Sequence, residues 1–246
     1  MRFSALATDF DETLAVHGEV ALPTVEALER LKAGGRRLLL VSGRELDDLR
    51  AVFPALQLCD SVVAENGPLL FDPASGEELL LVPGPPADLA VRLADRGVTP
   101  LSVGRVIVAT LEEHSETVLE VIRELGLELQ LIFNKGSVMI LPAGMNKGVG
   151  LAAALERLGL TRDDVVAIGD AENDHSLLDA SGFPVAVANA LDALKERAAL
   201  VTRGAAGEGV AELVDLILED ALEWPAVQLP EESIRGDARY DEGDNA

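Results

Sequence analysis

The chain has one cysteine, three histidines and four lysines, and no apolar run that approaches membrane-spanning length. Each shortage excludes something. Cys59 has no partner for an internal disulfide, and with no histidine near it in sequence it reads as a small core residue rather than a nucleophile. The opening Met1-Arg2-Phe3-Ser4 leads to Asp9 before any signal-peptide apolar region develops, so the cytoplasm is the expected compartment. Positive charge is scarce, with 20 Lys and Arg against 43 Asp and Glu, a net charge of −23. Such a surface repels nucleic-acid phosphates and anionic membranes, and neither is an expected partner. It also repels itself at low salt, so a salt-rich cytoplasm would suit it. An anionic small molecule could approach only where a metal ion or a few converging cations offset the surrounding acids.

What is present is a chain of 246 residues, 48% of them hydrophobic, enough for one large domain or two smaller ones. Strand and helix patterns alternate. Leu6–Thr8 reads as a strand, 24–33 as a helix closed by Gly34-Gly35, 37–42 as a strand around the apolar run Leu38-Leu39-Leu40-Val41, 45–53 as a helix and 61–64 as a strand. Continuous apolar strands separated by helices predict a parallel, doubly wound sheet. The rhythm resumes with helices at 147–158, 174–180, 190–197 and 209–222 and strands at 165–168, 184–187 and 200–202. Between these halves it changes. Strands at 69–71 and 78–82 flank a turn cluster, Gly84-Pro85-Pro86 breaks the chain, and 87–141 reads as helix (87–96), strand (105–110), helix (113–125) and a hairpin (128–133 and 137–141) turning at Asn134-Lys135-Gly136. The predicted architecture is an α/β core over 1–82 and 142–223, a small α+β insertion over 83–141, and an acidic, aperiodic tail from Trp224 to Ala246, with no internal repeat.

The chemistry concentrates where apolar runs end. In Asp9-Phe10-Asp11-Glu12-Thr13-Leu14 two carboxylates and a hydroxyl follow the first strand, a pattern suited to phosphoryl transfer through a carboxylate and equally found at a solvated strand end. Ser42 and Asp170 follow apolar runs too, and doubly wound sheets bind ligands beyond the carboxyl ends of their strands. The segment Gly169-Asp170-Ala171-Glu172-Asn173-Asp174 offers hard oxygens for Mg²⁺, or acidic caps for a helix start. Lys147 opens a helix after Asn146, either as a charge that balances a nucleophile and phosphate or as a solvated lysine.

Taken together, Asp9 to Leu14, Val41-Ser42-Gly43-Arg44, Asn146-Lys147-Gly148 and Gly169-Asp170 through Asn173-Asp174 occur in the order of the four motifs of the haloacid dehalogenase superfamily of phosphatases, which the chain resembles over about residues 3–215. Glu65-Asn66-Gly67, the hairpin after it and Ala186-Val187-Ala188-Asn189-Ala190 are similar to the Cof-type branch, which has a cap of the second class between the second and third motifs. The resemblance implies a Rossmann-like core and an aspartyl-phosphate mechanism. In it Asp9 is nucleophile and metal ligand, Asp11 is general acid and base and lends its backbone carbonyl to the metal, and Thr13 orients their loop. Ser42 and Lys147 hold phosphoryl oxygens, with Gly43, Arg44, Asn66 and Asn173 binding substrate beside them. Asp170 and Asp174 complete the Mg²⁺ site. Glu12 departs from the glycine usual there. The small insertion is nearer the caps of archaeal phosphoglycolate phosphatases and sugar-phosphate phosphatases than larger caps. The three histidines read as peripheral: His17 lies in the loop over the site, from which it could touch substrate, and His114 and His175 are expected as exposed helix residues.

The expected function is therefore Mg²⁺-dependent hydrolysis of a small phosphorylated metabolite. Two alternatives stay open at this point: a phosphomutase, and a phospho-accepting regulatory or binding module of the response-regulator kind, against which the proton-shuttling Asp11 argues.

Overall fold

The structure, a computed structural model, describes residues 3–223, and the expected acidic tail lies outside them. An eight-stranded sheet forms the core. Its strands are β1 (Ala5–Thr8), β2 (Arg37–Val41), β3 (Ser61–Ala64), β4 (Leu69–Phe71), β5 (Glu78–Leu80), and, after the insertion, β10 (Val165–Gly169), β11 (Phe183–Ala186) and β12 (Leu200–Val201). They lie in the order β12-β11-β10-β1-β2-β3-β4-β5. The pairings from β12 through to β3 are parallel, and β3, β4 and β5 form an antiparallel meander on one edge. Apart from exposed Arg37, every residue of β1, β2, β3 and β10 is buried, which explains their unbroken apolar runs. Helices α1 (Leu22–Ala33), α2 (Leu46–Val52), α5 (Lys147–Leu158), α6 (His175–Asp179), α7 (Asp192–Lys195) and α8 (Ala206–Leu218) belong to this core.

Register does the positioning. Thr8 pairs with Ile168 on one side and Leu40 on the other, and Val41 pairs with Val63. Asp9, Ser42, Glu65 and Asp170 therefore leave the sheet at the carboxyl ends of its parallel strands, at nearly one level.

The insertion supplies a second sheet, entirely antiparallel, in the order β6-β7-β9-β8: β6 (Ser102–Val103), β7 (Val108–Leu111), β8 (Leu129–Asn134) and β9 (Ser137–Pro142). Helices α3 (Ala87–Asp95) and α4 (Ser115–Leu125) seal one face through Leu89, Leu93, Val118 and Ile122 packed on Val108 and Ile140. The other face carries a separate small cluster of Ile107, Met139 and Leu141.

Most elements fall within a few residues of their expected bounds, and the departures have causes. Helix α1 begins at Leu22 because Pro23 fits the first turn, where no amide is needed. Helix α8 begins at Ala206 rather than Gly209. A Cβ on Gly207 would meet Thr24 and one on Gly209 would meet Thr202, so both glycines serve close packing inside the helix. The strand expected at 105–110 begins only at Val108, as β7, with the short β6 lying before it, since the amides of Arg105, Val106 and Ile107 bond to the Glu65 carboxylate and not to a neighbouring strand. No described helix is long and apolar enough to cross a membrane.

Candidate active site

Asp9 ends β1 with its amide held by the Ile168 carbonyl at 3.0 Å. Its Oδ1 accepts a 2.5 Å bond from Lys147 Nζ, and the same ammonium donates to Asp174 Oδ1 at 2.5 Å. Lys147 is 1% exposed, so it is a buried counter-charge and not a solvated lysine. Asn146 delivers it by capping α5, accepting from the Val149 amide. Gly67 lets the turn after β3 press onto that helix start: it sits at φ +129, and a Cβ there would lie 2.2 Å from the Asn146 carbonyl oxygen.

Asp174 is a strut. Its Oδ2 accepts from the amides of Asp170 and Ala171 at 2.9 and 3.0 Å while Oδ1 holds Lys147. A Cβ on Gly169 would lie 2.6 Å from the Asp174 side chain, so only glycine permits the approach. Asp170 Oδ1 accepts from Thr13 Oγ1 at 3.0 Å, which ties the first motif to the fourth, and its Oδ2 pairs with Lys135 Nζ from the cap.

Asp9, Asp170 and Asp174 are buried and bring carboxylate oxygens within 4.8 Å of one another. Burial, with Asp174's charge adding to it, pushes Asp9 up to about 8 although Lys147 opposes the shift. Burial also raises Asp170, against the pull of Lys135. Lys147, which burial alone would lower, is carried above its ordinary range by Asp174 and Asp9. Three clustered, buried carboxylates against two lysines leave a deficit of positive charge, and a divalent cation with hard-oxygen preference fits both the charge and the donor atoms.

Asp11 is partly exposed, and both its oxygens are gripped by Arg44, Nε to Oδ2 and Nη2 to Oδ1, each at 2.8 Å. Arg44 also donates to Asp48 Oδ2 at 2.5 Å and lies over the Phe10 ring, 5.4 Å from its centroid. Its donors are directed to protein carboxylates. Ser42 is fully buried, its hydroxyl oxygen accepting from the Arg44 amide. Asn66, also buried, accepts from Asn173 Nδ2 at 3.0 Å, while Asn66 Nδ2 and Asn173 Oδ1 are buried without partners among the described residues. Glu12 is left-handed (φ 59), which accounts for the usual glycine. Its side chain turns outward to accept from the His17 amide, and its carbonyl accepts from Asn189.

Two of the three histidines need correction, while His17 is peripheral as expected. His17 is almost wholly exposed, facing Glu12 and not the pocket. His114 and His175 are half-buried rather than exposed, His114 through its contact with Thr99 and His175 with Nδ1 shut off from solvent. Cys59 is buried as expected, its thiol pushed up to about 12 by burial.

Above the carboxylates lies a pocket of about 230 Å³. Asp9, Asp11, Gly43, Arg44, Asp170 and Asn173 line its core side, and Ala109, Asn134, Lys135, Ser137 and Met139 its cap side. Two residues escaped sequence reasoning. Lys135 occupies a two-residue hairpin turn at φ 47, followed by Gly136 at φ 79, where asparagine or glycine is the rule, and that mismatch was the available signal. Glu65 is an acid at the end of an apolar strand, like Asp9, yet it binds backbone rather than ligand. Its Oε1 accepts from Arg105 N at 2.9 Å and Oε2 from Val106 N and Ile107 N at 2.6 and 2.9 Å.

Comparison with known proteins agrees with this architecture. A curated phosphoglycolate phosphatase of Methanothermobacter thermautotrophicus is 33% identical over 224 residues, covering 85% of this chain and 96% of its own. The crystal structure of a haloacid dehalogenase-like hydrolase from Bacteroides thetaiotaomicron superposes with a TM-score of 0.77 at 22% identity, over 87% of this chain and 99% of its own. A sugar phosphatase of haloacid dehalogenase subclass IIB superposes with a TM-score of 0.69 at 20% identity, over 87% of this chain and 98% of its own. The sequence profile of the haloacid dehalogenase-like hydrolases matches residues 6–83 and 99–214. With the four motifs gathered at the carboxyl ends of the core strands beneath an inserted cap, the chain belongs to that family, as a phosphatase of its Cof-type branch.

Proposed function

We propose that the protein is a Mg²⁺-dependent phosphatase of a small phosphorylated metabolite, a sugar phosphate or a phosphoglycolate-like acid, working through an aspartyl phosphate on Asp9 in the cytoplasm. The observation that carries the reading is the buried Asp9–Lys147–Asp174 chain beside Asp170, on the floor of a pocket that holds only a small molecule. The curated relatives named as phosphoglycolate phosphatases support the substrate range.

In this mechanism Lys147 engages Asp9 Oδ1 and leaves Oδ2 to attack phosphorus, while the ester P–O bond breaks. Asp11, turning from the Arg44 fork, gives its proton to the departing alkoxide. It then takes a proton from the water that attacks the aspartyl phosphate, releasing phosphate and restoring Asp9. Mg²⁺, held by Asp9, Asp170 and the Asp11 carbonyl with Asp174 bracing them, would supply positive charge to the phosphoryl oxygens. Gly43 and Asn173, which line the pocket, and Ser42, buried just before Gly43, would hold those oxygens. The partnerless Asn66 Nδ2 is a donor next to Asn173.

The test is turnover of p-nitrophenyl phosphate and 2-phosphoglycolate, expected to stop with EDTA and return with excess Mg²⁺. Acid quenching should trap a phosphoryl group on Asp9. Turnover indifferent to EDTA would overturn the metal assignment, and stoichiometric labelling without turnover would favour the phospho-accepting module.

A further inference from the structure

Two cations line the pocket, and they differ in what they have left to give. Arg44 directs Nε and Nη2 to Asp11 and Nη1 to Asp48. Lys135 has three donors on a half-exposed ammonium and uses one of them, on Asp170 Oδ2. That partner is a carboxylate with a prior claim, since a divalent cation on the cluster and an ammonium on the same oxygen would stand side by side.

The hairpin carrying Lys135 is held in place independently of that ion pair. The Lys135 amide donates to Glu172 Oε2 at 3.4 Å, and Gln130 at the other end of β8 bonds the Met145 carbonyl and accepts from the Gly144 amide. Around Lys135 the cap face is formed by Ala109, Asn134, Ser137 and Met139 over the apolar pair Ile107 and Leu141, and Lys135 is its one charged group. A polyol would set some of its hydroxyls against the Ala109 methyl and the Met139 thioether, which give no useful hydrogen bond, and would leave the Lys135 charge without a counter-charge. A short chain ending in an anion offers that ammonium its counter-charge. On a chain of net charge −23, such an anion has little else to draw it in.

We propose that Lys135 is a specificity-determining residue that binds a second anionic group, a carboxylate, on a short phosphorylated acid, and so selects acids over polyols of similar size. This rests on the phosphatase reading and narrows it to one substrate class.

The test compares 2-phosphoglycolate with ethyl phosphate, which replaces the carboxylate by a methyl group, in wild type, Lys135→Met and Lys135→Arg. The ratio of kcat/KM values cancels any loss that reaches both substrates through Asp170. It should fall about 100-fold in Lys135→Met, mainly through KM for the acid, and recover in part in Lys135→Arg. Binding supplies a readout without chemistry. By calorimetry with Mg²⁺ present, wild type should bind 3-phosphonopropionate well ahead of propylphosphonate, and Lys135→Met should lose that preference. An unchanged ratio in Lys135→Met, or wild-type binding that ignores the carboxylate, would overturn the role of Lys135. Failure of wild type to hydrolyse any phosphomonoester would instead overturn the phosphatase reading.

Discussion

The two ends of the core sheet hold buried or nearly buried carboxylates of opposite character. At the end where β3 begins, Asp60 accepts from Arg37 Nη1 and the Leu38 amide, each at 2.8 Å, and pairs with Lys32. Burial works against its charge, yet Lys32, the Leu38 amide and Arg37 outweigh it and hold the carboxyl below its usual range. At the far end Asp9 has one ammonium, shared with Asp174, and is pushed up instead. The first carboxylate is satisfied and adds to stability; the second is left wanting positive charge. Left-handed backbone is also gathered at that second end, at Glu12, Glu65, Asn66 and Lys135, and strain of this kind concentrates where function requires it.

The sharpest way to break the contrast is to remove the unsatisfied charge. Asp9→Asn should lower kcat by about 10⁴-fold or more, as loss of a nucleophile does, and yet in EDTA it should melt above wild type at pH 8. The sign follows from the raised carboxyl. Between the unfolded value of about 3.9 and about 8 the folded protein keeps a proton that the unfolded chain has released, so metal-free wild type loses stability as pH rises through that window. Asp9→Asn should show a flatter profile. A variant that kept a tenth of the wild-type rate would sink the covalent mechanism, and a metal-free wild type that gained stability from pH 5 to 8 would sink the electrostatic contrast.

Glu65 sits at the functional end but resembles Asp60 in being fully partnered, so it sharpens the comparison from the other side. Glu65→Ala would leave the amides of Arg105, Val106 and Ile107 without their acceptor in a buried place. The loss should be about 3 kcal/mol in urea unfolding, with faster proteolysis between Gly84 and Ile107. Glu65→Gln, which keeps the shape and one acceptor oxygen, should lose less. Equal stability of Glu65→Ala and wild type would mean that the cap is held by its apolar contacts alone.

Glu65 also marks where the sequence stops being legible. The core strands could be read because a strand buried on both faces is a continuous apolar run, as in Leu38 to Val41. The aspartates of the candidate site could be read because they follow such runs and a doubly wound sheet aligns the run ends. Residues 105–107 were misread as strand because their apolar pattern is real, while the acceptor that takes their amides lies some forty residues earlier in the chain. Lys135 was missed for a similar reason. Only the β8–β9 register and the docking of its turn on Glu172 bring it to Asp170, and neither is encoded in the local Asn134-Lys135-Gly136 pattern. Arg44 was visible as a candidate, but its commitment to Asp11 and Asp48 was not, since charge pairing is a property of the folded geometry.

The smallest effect belongs to Asp60. Its partners Lys32 and Arg37 are partly exposed, so the ion pairs are screened and replacement by asparagine, which can still accept from Leu38, should cost only about 1 kcal/mol at pH 7. Because the folded carboxyl is held below the unfolded value, its contribution is present above about pH 3.9 and disappears as pH falls toward the folded value. Urea unfolding should therefore separate wild type from Asp60→Asn at pH 7 and bring them together near pH 2.5, the reverse of the trend expected for Asp9. A gap that stayed constant down to pH 2.5 would show that Asp60 contributes through packing and hydrogen-bond geometry rather than charge. The two ends of the sheet would then differ in function but not in electrostatic design.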